Sequence, residues 1–549
     1  MSALLTGSVW PFAVLVWPLL LGLAPVVPAW RVQAPWVLPL APLPALVFAL
    51  FGAPGATELP HLILGVELEA VPGGALLLGM TAAVWTAAGW HAARTLERSW
   101  RAGILVGFWC LTLAGNLGVF LAADVVTFYV AFAAVSLAAW FLVVHDRTES
   151  ALAAGRVYIT LAVAGETLLL AGLLIGAQAA DSLQIAAVRA ALGQAPLGGL
   201  AVALLVAGFG IKAGLVPLHV WLPLAHPVAP VPGSAVLSGA IVKAGLIGLL
   251  LFLPAGTDWG AVLMGLGLLG AFAAALWGLT QRNPKAVLAY STVSQMGLML
   301  LLVGAGVGAG QAAAFYALHH GMAKGALFLL VGVAVAASTP RERRATLVLA
   351  GAVALSVAGL PLTGGALVKA AAKDGLAPAA TFAVTLSGAT TTLILAWFLH
   401  RLAVERKPTP GQNWAALAAG AALLALAAML APWVLWSGAT DLPAGYPLRA
   451  GVMFDAAWPV LAGLALAALV IRRPAPELPP GDLLTVSRPR ARLHAPRRPV
   501  VVLPTALGRK FVRLLIRART PEMALRRWSA AGGLLVAGVL LLAILLVDF

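Results

Sequence analysis

Between Val206 and Leu250, two strongly apolar runs each hold one lysine, Lys212 and Lys243. Between them lies a centre that carries Pro217, Pro223, Pro227, Pro230 and Pro232. Proline lacks the backbone donor and collides with the preceding turn, so no single helix runs through that centre. A lysine at membrane depth costs several kcal/mol unless it faces a partner, a water-filled cavity or an ion path. The residues therefore predict a helix that breaks near Leu215–Pro217, an irregular buried crossing, and a new helix from about Gly233. Broken backbone at that depth survives only where protein or a water-lined cavity satisfies it, and transporters place their sites at such breaks.

The rest of the chain is as apolar: of 549 residues, 62% are hydrophobic and 10% charged. That composition predicts an all-α polytopic membrane protein. About sixteen spans are expected, at 8–28, 35–53, 73–93, 102–121, 124–144, 154–177, 198–216, 233–254, 260–280, 286–308, 311–337, 346–371, 378–400, 413–436, 454–471 and 529–547. The seventh and twelfth are broken, the twelfth at Pro361. The first run lacks a basic leader and an obvious cleavage site, so it reads as a retained helix. Segment 54–72 contains LILGVELEAV, whose alternation suggests a short hairpin, and 178–197 reads as a short surface helix. The single cysteine, Cys110, excludes an internal disulfide and a multi-cysteine metal or iron–sulfur site. There is no GxGxxG or P-loop pattern. No cofactor or metal is expected, and with no redox centre in the chain its status as an enzyme is left open.

The net charge of +16 is unevenly placed. With the N-terminus outside, the loops on the inside hold Arg31, Arg94, Arg98, Arg101, Arg147, Arg156, Arg282, Lys285, Arg341, Arg343, Arg344, Arg401, Arg406 and Lys407. The outside loops hold little beyond Arg189 and Arg449, as the positive-inside rule requires. Both termini are then expected outside, which is periplasmic for a bacterial inner-membrane protein. Residues 472–527 carry 14 Arg and Lys against Glu477, Asp482 and Glu522. Beside a span, such a stretch reads as a loop on anionic lipid rather than a nucleic-acid site. Its nine prolines exclude one continuous helix, while TALGRKFVRLLIRAR at 505–519 has the spacing of an amphipathic surface helix.

The segments IKAGLVPLHVWLP, AHPVAP and SAVLSGAIVKAG resemble the antiporter-like subunits shared by respiratory complex I, Mrp-type cation/proton antiporters and membrane-bound hydrogenases. The AHPVAP form looks most like the hydrogenase and Mrp side. PKAVLAYSTVSQMG (284–297), HHGMAKGALFL (319–329) and GLPLTGGALVK (359–369) agree with it. The resemblance implies two five-helix repeats of inverted topology, here 102–254 and 260–402, each with one broken helix. Helices 1–3 (1–101) would precede them; helices 14–15 (413–471), the basic segment 472–527 and a terminal span (528–549) would follow. In complex I relatives a lateral helix and an added terminal helix brace neighbouring subunits, and the order here looks like a shortened version; a plain basic linker is the alternative.

The resemblance also assigns the buried charges. Lys212 and Lys243 match the family's proton-path lysines. His320 and Lys324 share a helical face at i, i+4 and match its histidine–lysine pair. Lys369 matches its terminal-channel lysine or glutamate. The family's tryptophan–glutamate pair in the fifth helix falls on Phe132 and Ala133, so this chain lacks it. Glu166 matches an acidic position in the sixth helix. Either Glu166 replaces the lost partner of Lys212, or the N-terminal channel is altered or inactive. His219 and His226 flank the first break and either relay protons between Lys212 and Lys243 or hydrogen-bond free carbonyls. Ser238 stands where many relatives have histidine, which would route that step through water. His319, Lys285, His400 and Arg401 read as structural or anchoring residues.

Two classes of function follow. The first is a proton-translocating subunit that passes protons along Glu166, Lys212, Lys243, His320, Lys324 and Lys369, driven by a redox or catalytic partner and set beside homologous membrane subunits. The second is a membrane scaffold with an impaired N-terminal channel, as in a hydrogenase or inorganic-carbon uptake complex. A stand-alone sodium/proton antiporter is a further option, although sodium prefers oxygen ligands and this path is rich in lysine.

Overall fold

Helices that are apolar on every side need other helices or lipid around them. Both kinds of covering occur in the computed structural model of the chain, which describes residues 10–52, 55–62, 64–69, 73–96, 100–254, 257–405 and 412–480. Among the described residues, ten helical stretches are long and apolar enough to cross a membrane. The stretch Pro284–Ala305 is buried over nearly all of its length, from Ala286 to Val303. Helices farther out turn Leu423, Val434, Leu461 and Leu469 outward.

The chain opens with α1 (Trp10–Gly22) and α2 (Leu43–Phe51), linked through 3-10 turns. A full span expected at 35–53 is α-helical only from Leu43, because Pro35, Pro39 and Pro42 interrupt the backbone ladder before it. A hairpin of β1 (Thr57–Leu59) and β2 (Val66–Leu68) follows, within the 54–72 segment that alternates. Next come α3 (Gly74–Thr95), α4 (Trp100–Gly118), α5 (Val125–Val143), α6 (Glu149–Ala180), the short α7 (Ile185–Leu192) and α8 (Gly198–Ala213). The region of the first break contains α9 (Trp221–Val228), α10 (Val231–Val236), a π segment over Leu237–Ile241, and α11 (Lys243–Phe252). After them run α12 (Asp258–Gly278), α13 (Pro284–Ala305), α14 (Val307–Ala336), α15 (Pro340–Ala358), α16 (Gly364–Lys373), α17 (Pro378–Val404), α18 (Trp414–Val434), α19 (Trp436–Ala439) and α20 (Ala450–Arg472). The expected surface helix at 505–519 and last span at 529–547 lie outside the described residues.

The basic loops gather at one end of the bundle. There Lys285 donates to Ala229 O, Arg401 to Arg282 O and Arg343 to Ala403 O, and Arg282 pairs with Glu477. At the opposite end Arg189 donates to Leu253 O and Lys373 pairs with Asp455. Consecutive long helices therefore alternate in direction.

Both expected breaks are present and are built alike. Gly214 (φ 78°) and Gly359 (φ 97°) are in the left-handed conformation that glycine adopts without a Cβ clash. Leu215 N–H reaches back to Gly210 O at 2.8 Å, and Leu360 N–H to Leu355 O at 3.0 Å. Each is the six-to-one closure that ends a helix at such a glycine. The sequences are AGLVPL and AGLPL. Between the halves of the first break the crossing is not irregular throughout: α9 gives it one ordered helix, which ends before Pro230. The two broken helices run in opposite senses: α9 ends at the basic end, where α15 begins.

The contact between α8 and α11 is the tightest test of this packing. A Cβ at Gly245 would stand 2.4 Å from Phe209 O and 2.6 Å from Ala213 N, whereas one at Gly199 would meet nothing within 4 Å. Gly245→Leu is expected to destabilise the purified protein by at least about 1–3 kcal/mol through overpacking, read as a lower thermal midpoint. Gly199→Leu is expected to leave that midpoint in place, and equal effects would contradict the packing.

Candidate functional site

Lys212 occupies the last turn of α8, buried just before the break. Its Nζ stands 5.5 Å from the centre of the Tyr158 ring, 5.9 Å from Trp221 and 6.0 Å from Phe132. Three aromatic faces thus surround one ammonium, an arrangement that attracts a cation through the ring quadrupoles. The rings are fixed in turn. Tyr158 OH donates to Ser136 O at 2.7 Å, and Trp221 Nε1 donates to Ile211 O at 2.7 Å. The Tyr158 hydroxyl lies 3.4 Å from Nζ. Glu166 on α6 faces the same small cavity, but the two do not approach to ion-pair distance, and Glu166 Oε2 is buried without a hydrogen-bond partner. A close pair with Lys212 is therefore absent, and aromatic rings, one of them Phe132, stand around the ammonium instead.

Lys243 opens α11, directly after the π segment. Its Nζ donates to Ser238 O at 2.7 Å and lies 3.0 Å from His320 Nδ1. With Lys243 as the donor, His320 accepts on Nδ1. A π turn leaves carbonyls displaced from the regular ladder, and the lysine takes one of them. The Ser238 hydroxyl lies 2.7 Å from Thr292 Oγ1 on α13, and Thr292 donates to Leu288 O at 2.9 Å. Lys324 donates to the same Leu288 O at 3.2 Å. Ser238, Thr292 and Leu288 O thereby link the surroundings of Lys243 to Lys324 across three elements.

His319 faces the second break. Its Nε2 lies 2.9 Å from Ser356 Oγ on α15. Two residues on, Ala358 O accepts from Lys369 Nζ at 2.8 Å. Lys369 and Lys373 line a cavity with Thr385 and Asp455, and Lys373 Nζ is 3.6 Å from Asp455 Oδ2. His219 packs near Tyr290 of α13, with ring centres 6.3 Å apart. His226 lies elsewhere: its ring stacks on Phe328 at 4.6 Å, and neither of its nitrogens binds a carbonyl.

Several polar groups here were not singled out from sequence. They include Tyr158 and Trp221 of the cage, Thr292, Ser356, Asp455, and a buried chain in which Tyr316 OH donates to Gln295 and Gln295 to Thr391, at 2.7 and 2.8 Å. The run STVSQ, polar at nearly every position inside an apolar helix, was the available signal for Thr292 and Gln295. Among the described residues no three His, Cys, Asp or Glu side chains gather as a metal site.

Residues 122–395 match the family model described as NADH:quinone oxidoreductase/Mrp antiporter, TM. This chain belongs to that antiporter-like family. The matched region contains Glu166, Lys212, Lys243, His320, Lys324 and Lys369. Hydrogenase-4 component B of Escherichia coli (strain K12) is 35% identical over 227 residues, 38% of this chain and 34% of that protein. NADH-quinone oxidoreductase subunit N of Geobacter metallireducens is 33% identical over 49% of this chain and 62% of its own length. The antiporter-like chain thus spans less than two thirds of either relative. In fold it is similar to a chain of the Mrp complex from Dietzia sp. DQ12-45-1b, with TM-score 0.70 and 23% identity over 99% of this chain and 63% of that one.

The antiporter-like chain's Lys243–His320 contact can be weighed by a double-mutant cycle. His320→Leu leaves a buried ammonium with fewer acceptors and is expected to cost about 1–3 kcal/mol of stability. In a Lys243→Met background the same change should cost much less, giving a coupling of about 0.5–3 kcal/mol. Additive thermal-unfolding shifts would contradict the contact.

Proposed function

We propose that this antiporter-like subunit translocates protons within a larger membrane complex, along Glu166, Lys212, Lys243, His320, Lys324 and Lys369. The observation that carries the reading is the direct meeting of Lys243 and His320, buried and 3.0 Å apart. A lysine beside an imidazole can hand over a proton because each group exists in two protonation states and the two lie within one hydrogen bond of each other. Thr292 and Ser238 extend the route towards Lys324, and His319 with Ser356 extends it towards Lys369. Asp455 and Lys373 would form the mouth at the end opposite the basic loops.

The same reading makes 102–254 and 260–402 an inverted pair of five-helix units, supported by their matching breaks and the opposite senses of the broken helices. The basic end faces the cytoplasm of a bacterium and the termini face the periplasm, on the strength of the loop arginines. Partners are other membrane subunits, homologous ones among them, and a redox or catalytic module that supplies the driving force. The basic segment 472–527 lies on anionic lipid.

A second reading has one observation in its favour. Lys212 sits in an aromatic cage without a contacting carboxylate, which suits an N-terminal channel of altered or lost conduction in a subunit that mainly holds a catalytic partner.

The variants Lys212→Met and Lys243→Met separate these readings in vesicles carrying the whole complex. If both units conduct, each variant lowers coupled proton translocation at least tenfold while the complex still assembles. If the N-terminal channel is silent, only Lys243→Met does so. Translocation at the unmodified rate in both variants would overturn the assignment.

A further inference from the structure

At the end of the bundle opposite the basic loops, a cavity of about 830 Å³ lies between the outer ends of α11, α12, α13 and α14, flanked by α19 and the start of α3. Ligand sites have volumes of about 300–1,000 Å³. The walls here are leucine, valine, alanine, proline and glycine, and only Arg189, Thr257 and Gln311 bring polar side chains to them. Thr257 Oγ1 is already turned to Pro254 O at 3.2 Å. A buried water needs about two to four polar partners, which walls of this kind do not supply. Arg189 of α7 donates from Nε to Leu253 O at 3.0 Å, where α11 ends. That bond holds the guanidinium at the cavity, and its two terminal nitrogens make no hydrogen bond or ion pair among the described residues. Such a fork matches the oxygens of a phosphate. Hydrocarbon walls beside one unpaired cation, at the level where the spans end, fit an amphiphile with an anionic head. The cavity also lies over the centre of the proton row. Leu249 and Leu253 follow Lys243 by six and ten residues, and Ala314 and Gln311 precede His320 by six and nine. At 1.5 Å per helical residue, the cavity begins about 9 Å from that pair.

We propose that this cavity holds an acyl chain of a membrane phospholipid whose phosphate rests on Arg189, and that the bound lipid seals the outer side of the Lys243–His320 pair. The occupant is a phospholipid rather than a free anion, because an anion would use the guanidinium and leave the apolar walls uncovered. Left empty, those walls would forfeit their dispersion contacts. Filled with water, the cavity would bring solvent close to the pair and open a side route for protons at the middle of the row. The sealing role rests on the proton-path reading above; the lipid site does not.

The test begins with the full chain in mild detergent, where native mass spectrometry counts bound phosphatidylglycerol. The unmodified protein is expected to keep one such lipid through washing that strips the rest. Arg189→Gln is expected to weaken retention at least tenfold, and Arg189→Lys less. Ala261→Trp fills the cavity from an exposed alanine on its wall and is expected to abolish retention at an unchanged thermal midpoint. Retention equal to the unmodified protein in these variants overturns the lipid site. So does inorganic phosphate that raises the thermal midpoint as much as phosphatidylglycerol does, or a map of the assembled complex with a neighbouring subunit's segment in the cavity. The seal is read in vesicles carrying the complex with its driving reaction stopped. Arg189→Gln is expected to raise the passive proton leak several-fold, and adding Ala261→Trp to bring it back. An unchanged leak in Arg189→Gln, with the lipid lost, refutes the seal and leaves the site standing. If Lys243→Met translocates protons normally, the proton path and the seal fall together, while lipid retention still decides the site.

Discussion

An ammonium group inside a bundle of apolar helices must have its hydration replaced, and the interior of this chain is arranged around that demand. Lys212, Lys243, Lys324 and Lys369 are all buried, and they are met in three ways. Aromatic rings surround Lys212. A carbonyl and an imidazole hold Lys243, and single carbonyls hold Lys324 and Lys369. Two of these carbonyls come from irregular backbone: Ser238 O from the π segment and Ala358 O from the end of α15. Helix breaks expose polar backbone that has to be satisfied, and buried lysines are donors that have to be satisfied. Each defect answers the other.

The aromatic cage sets Lys212 apart from the other buried lysines. A carboxylate in contact with a lysine favours its charged form strongly, and a change in their separation then alters the lysine's proton affinity. Ring faces attract the ammonium more weakly, by about 0.5–2 kcal/mol, and Glu166 stays across a small cavity. The lysines at the two breaks therefore stand in unlike electrostatic surroundings even though the breaks close by the same backbone hydrogen bonds.

Much of this was legible in the residues, for physical reasons. Membrane class follows from apolar runs that nothing else explains. The breaks followed from prolines beside glycines, and the repeat AGLVPL and AGLPL marks both, although only its prolines were used. The burial of Lys212, Lys243, His320, Lys324 and Lys369 followed from their apolar neighbours. What escaped depends on contacts between distant segments. The partner of His319 is 37 residues away on α15, and the cage draws on α5, α6, α8 and α9. The π segment was also hidden, because LSGAI is an ordinary helical sequence. The surroundings of His226 were hidden as well, since its place near the break said nothing of the Phe328 ring on which it stacks.

Buried groups that carry protons, rather than merely coexist, need water between them. The most direct test is a cryo-EM map of the assembled complex at a resolution that shows ordered water. Proton transfer along the row requires waters bridging Glu166 to Lys212 and the cavity at Lys369 to Asp455, so that hydrogen-bonded lines connect the buried groups. Dry apolar packing in those gaps, with each lysine sealed from its neighbours, would contradict it.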